Sequence, residues 1–174
     1  QYLAARGLPL RYVNTRGSSA RLLDELASAA PQADVVLVHA GAADLARLFT
    51  QRATRPLLLA ADHPESVKHT YASLKMLSQR CGWMSCDLLL VAPPMSTRLP
   101  HIASTLASCA DTFIGAAVAD WAAIDPASPT NELPGAALRR LVAAQIGLDD
   151  EPTHAPAGYL TARRAAEALV SSSH

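Results

Sequence analysis

The chain has 174 residues, half of them apolar and 5% aromatic, with 15 basic side chains balanced by 15 acidic ones. That length suits one domain able to bury its own core, and an Ala- and Leu-rich, aromatic-poor composition favours helices packed on a small sheet over an all-β sandwich. Dispersed, balanced charge excludes a basic face for nucleic acid, and apolar runs such as Leu88-Leu89-Leu90-Val91-Ala92 are too short to span a bilayer.

Short β-branched or leucine-rich runs alternate with longer stretches of helical period, the pattern of successive βα units and a parallel sheet. Pro9 to Val13 reads as a first strand. Gly17, Ser18 and Ser19 supply turn and N-cap chemistry for a helix carrying Leu22, Leu23 and Leu26 inward. Val35 to Val38 is wholly apolar and is expected to be a central strand, followed by a helix over Ala43 to Gln51 that buries Leu45, Leu48 and Phe49.

Leu57 to Ala60 reads as the third strand. Asp62-His63-Pro64-Glu65 then has capping-box spacing with an early proline, and it opens a helix from Glu65 to Arg80. On that helix Val67, Tyr71, Leu74 and Leu77 share one face, while Lys68 and Lys75 fall on the other. Leu88 to Val91 is a fourth strand, Thr97 to Cys109 a helix and Phe113 to Val118 a fifth strand, with Asp120, Trp121 and Asp125 in a loop beyond it. Trp83 is expected to close a helix end against the core. Pro126, Pro129 and Pro134 break the next stretch into turns before a helix from Pro134 to Ile146 presents Leu138, Leu141, Val142 and Ile146. Asp149 to Gly158 reads as a loop, and Thr161 to Val170 as an alanine-rich helix without the bulky apolar face of a membrane anchor.

The candidate chemistry is sparse. No P-loop and no Gly-x-Ser-x-Gly elbow occurs in the sequence. The Gly17-Ser18 turn could hold an anion, although helix capping explains it as well. His39, at the expected carboxyl end of a central strand, could line a site and exchange protons near neutral pH, or be held by one backbone hydrogen bond. Asp62 and His63 would end the next strand and could converge on His39 as metal ligands, or serve as a helix cap. Asp120 and Asp125 face a ligand or solvate a loop. Cys81, Cys86 and Cys109 are odd in number and lack zinc-like pairing, as expected for reduced core thiols in a cytoplasmic protein. A chain beginning at Gln1 reads as a processed or excised piece of a longer protein.

The stretch Arg55-Pro56-Leu57-Leu58-Leu59-Ala60-Ala61-Asp62-His63-Pro64-Glu65-Ser66 through Tyr71-Ala72-Ser73-Leu74-Lys75-Met76-Leu77, followed by Asp87 to Val91 and Phe113-Ile114-Gly115, resembles the later half of the MinD/ParA class of deviant-Walker ATPases. Within that class it is most similar to MinD-like regulators of flagellar number. The resemblance runs from about Gly7 to Ile146. It implies a three-layer α/β/α domain with a mainly parallel sheet of about five strands, a partial P-loop NTPase-like (Rossmann-like) fold. Residues 1–148 would form this domain and 149–174 a loop and terminal helix.

The family's nucleotide positions are altered here. His39 stands for the aspartate that ends the second Walker strand, and Ala43, beyond Gly41, for the glycine that senses the γ-phosphate. Ala92 and Pro93 replace the adenine-reading asparagine. An imidazole does not supply a carboxylate's charge to hydrated Mg²⁺, and an alanine obstructs close backbone approach. The resemblance therefore implies a non-catalytic regulator with no cofactor. It would act through protein partners, flagellar or membrane-associated, or as a homodimer. ATP and Mg²⁺ would enter only if a P-loop lies upstream, making the chain part of a working ATPase. A receiver-like or Rossmann-like binding module is the further alternative.

Overall fold

The computed structural model describes residues 11–12, 21–49, 54–129 and 131–147. Strands β1 (Leu57–Ala61), β2 (Ser85–Val91) and β3 (Ala117–Ile124) form one parallel sheet in the order β1-β2-β3. The described helices are α1 (Leu22–Ser28), α2 (Ala42–Leu48), α3 (Pro64–Cys81), α4 (Leu99–Ile114) and α5 (Ala136–Gln145). The chain is thus α/β with a Rossmann-like parallel layout, but the described residues carry three strands where about five were expected.

α3 links β1 to β2 and α4 links β2 to β3. Neighbouring strands joined in sequence by crossovers of one hand receive both helices on the same face. The main core lies there: Leu58 and Ala60 from β1 and Cys86, Leu88 and Leu90 from β2 meet Leu74 and Leu77 of α3 and Ile102, Leu106 and Ala110 of α4. α2 adds Ala46, and Trp83 closes the end of α3 edge-to-face against Phe49, as expected of it. Strand alternation places Asp87, Leu89 and Val91 on the opposite face. That face receives α5, whose Gln145 and Arg140 reach Asp87 and Asp120.

Several expected elements shift or vanish. Residues 35–40 form no strand, and Val35, Val36 and Leu37 are 48%, 46% and 88% exposed. A parallel strand is stable only when ladder hydrogen bonds and packing on its faces satisfy it. Among the described residues no strand lies beside this run, which has the composition of a strand without the ladder that would make it one. Of the expected strand Pro9 to Val13, only Arg11 and Tyr12 are described, and they are helical. Phe113 is not the start of a strand: α4 continues through Ile114 and stops at Gly115, which takes the left-handed conformation (φ 68°) that ends helices. Phe113 is left 74% exposed and β3 begins at Ala117. Asp120 and Trp121 consequently belong to β3, not to a loop. The expected N-cap at Gly17 to Ser19 and the helix over Thr161 to Val170 lie outside the described residues.

Candidate functional site at the ends of the sheet

Open parallel sheets place ligands at the carboxyl ends of their strands. Here those ends are Ala61-Asp62, Val91-Ala92 and Ile124-Asp125. α3 is stitched to the end of β1 by short polar side chains. Ser66 Oγ accepts from the Ala61 N–H at 2.8 Å, and Thr70 Oγ1 donates to the Leu59 carbonyl at 2.8 Å. The cap of α3 is His63, not Asp62: Nδ1 of His63 accepts from the Ser66 N–H at 3.2 Å. Its ring nitrogen does what the carboxylate was expected to do, because Pro64 sets the first helical position one residue later than the capping-box spacing implied.

Asp62 is thereby free to turn toward the loop after β2. Ser96 Oγ donates to Asp62 Oδ2, and Nη1 of Arg98 lies 3.3 Å from Oδ1. That Oδ1 is buried and accepts no hydrogen bond, so the arginine holds it by Coulombic attraction without alignment. At the end of β3, Asp125 accepts from the Ala127 N–H at 2.9 Å and shapes a turn. Both strand-end carboxylates are committed to the protein's own structure.

The remaining candidate positions do not join them. His39 is exposed and belongs to no strand. Gly41 is the N-terminal flank of α2, with an open surrounding that would accept a Cβ, and Ala43 sits half-buried in the first turn of that seven-residue helix. Ala92 is 4% exposed within the main core, and its N–H donates to the Ile124 carbonyl at 3.1 Å. Packing accounts for its size. Among the described residues no three His, Cys, Asp or Glu side chains are placed to hold a metal, so His39, Asp62 and His63 do not converge. Among the same residues no helix is long and apolar enough to cross a membrane.

The strongest polar cluster lies toward the amino end of the sheet, and of its members sequence reasoning singled out only Asp120, as a loop residue. A register shift between Cys86 and Asp87 skips one residue of β3 and sets Asp87 beside Asp120. Two carboxylates on adjacent strands repel. Asp87, fully buried, is answered by Arg55 Nε at 2.9 Å and Gln145 Nε2 at 2.7 Å on Oδ2, and by the Asp120 N–H at 3.1 Å on Oδ1. Arg140 grips Asp120 with two contacts of 2.8 Å, and the hydrogen bond from that guanidinium holds the Asp120 carboxyl below its ordinary range. Burial first, and the Asp87 charge second, push the neighbouring Cys86 thiol up to about 11. Cys81, Cys86 and Cys109 are all free thiols. A charged residue opening the apolar run Leu88 to Val91 was the available signal for this cluster. Its partners come from positions 32 residues before it and 33 and 58 residues after it, and no local pattern connects them.

Comparison of the chain with protein families, with curated proteins and with solved structures finds no match.

Proposed function

We propose that this protein is a non-catalytic, MinD/ParA-like regulator that works through protein contacts, in the control of flagellar number or placement. The supporting observation is the fate of Asp62. In an enzyme built on a parallel sheet, a strand-end carboxylate is available to a metal or a substrate. Here it is spent on Arg98 and Ser96 of the same chain. Ala92 agrees with this reading, since it serves the core, whereas His39 is not at the strand end that the resemblance implies.

The test is calorimetric titration of Mg·ATP into the longest form of the protein its cell makes, with phosphate release followed in parallel. No binding heat and no turnover are expected from a folded sample. Micromolar affinity with turnover would instead establish a working ATPase whose P-loop lies upstream. The regulatory half of the reading predicts altered flagellar number in a deletion strain, counted by electron microscopy, and unchanged counts would remove it.

A further inference from the structure

We propose that α5 is a releasable strap, which opens as a unit from its face of the sheet while β1–β3, α3 and α4 stay folded. Its apolar hold is modest. Leu141 is its one fully buried residue and lies outside the main core cluster, Leu138, Ala143 and Ala144 are half-buried, and Val142 and Ile146 are 45% and 38% exposed. The rest of the hold is polar: Arg140 on Asp120, and Gln145 on Asp87 and on the Arg55 carbonyl at 3.3 Å. Water can take over such hydrogen bonds once the helix lifts, whereas it does not replace a packed core.

Opening also strands no charge. When Gln145 leaves, Asp87 keeps Arg55 on Oδ2 and the Asp120 N–H on Oδ1. When Arg140 leaves, Asp120 keeps the Trp121 N–H at 2.8 Å. The penalty for an unpaired buried carboxylate is thereby avoided. The entry to the helix is loosely fixed as well, since Gly135 at its N-cap provides no side-chain hydrogen bond. What opening uncovers is the strip that alternation puts on this face: Asp87 and Leu89 of β2 beside Asp120 and Ala122 of β3. The closed strap withholds that strip from any partner. This device does not depend on the regulatory reading above.

Hydrogen exchange of the full 174-residue chain under native conditions tests it. Amides of residues 136–146 are expected to share one opening rate, at least about tenfold faster than those of β2 and α3, with a urea dependence below that of global unfolding. Arg140→Ala, at a surface arginine, is expected to speed exchange about threefold in that segment alone. The proposal is overturned if α5 exchanges only with β2. It is equally overturned if α5 frays with rates graded along its length, or if Arg140→Ala changes nothing or accelerates every segment equally.

Discussion

The two ends of the sheet treat a buried carboxylate differently. At the amino end Asp87 is completely enclosed, and each of its oxygens has a hydrogen-bond donor. At the carboxyl end Asp62 is 16% exposed and has one oxygen with a nearby arginine but no hydrogen bond. The first is a finished structural joint holding a loop, two strands and a helix together. The second is a strand end kept closed by a loop side chain that is itself 60% exposed. The contrast shows that an ion pair's structural weight follows from how far its carboxylate is from water and from how many donors remain when the arginine goes.

Removing the arginine from each carboxylate in turn sharpens that contrast. Arg55→Ala leaves the enclosed Asp87 carboxylate with only Gln145 and one backbone N–H. We expect a loss of about 3 kcal/mol in urea unfolding, below the upper range for broken buried pairs because Arg55 is 36% exposed. Arg98→Ala should cost about 1 kcal/mol, since water can reach the uncovered edge of Asp62. A loss at Arg98 equal to that at Arg55 would break the distinction between the two ends.

Arg140→Ala should cost less than about 1 kcal/mol near neutral pH, because Arg140 is 58% and Asp120 24% exposed. Its signature lies in the pH dependence. A carboxyl whose folded-state pKa is lowered contributes stability above its unfolded pKa, and that contribution is lost as pH falls through the folded value. The hydrogen bond from Arg140 lowers Asp120 in this way. The variant should therefore lose stability relative to the wild type above the ordinary carboxylate range, and the difference should close as pH falls below it. An unfolding series from neutral to acid pH measures this, and a constant offset throughout would show that Arg140 acts through packing alone.

Much of the fold was legible because local chemistry and tertiary context agreed. The helical period from Val67 to Leu77 and the apolar strands Leu57 to Ala60 and Leu88 to Val91 all appear within a few residues of their expected bounds. The site was less legible. His39 drew attention through the strand expected around it, and that strand is absent. Arg55, Arg140 and Gln145 gave no local sign, since each matters only because of a carboxylate far away in the chain.

The runs Val35 to Val38 and Leu57 to Ala61 mark the boundary between the two kinds of knowledge. By itself the sequence determined where chain segments could be apolar strands or helices, and that these residues carry no P-loop. Tertiary structure decided which apolar run became a strand, because ladder hydrogen bonds need a neighbour and composition cannot supply one. It also decided that Asp120 would lie beside Asp87, through a register shift of one residue. That shift set two repelling carboxylates side by side, and Arg55, Arg140 and Gln145 made them the joint between α5 and the sheet.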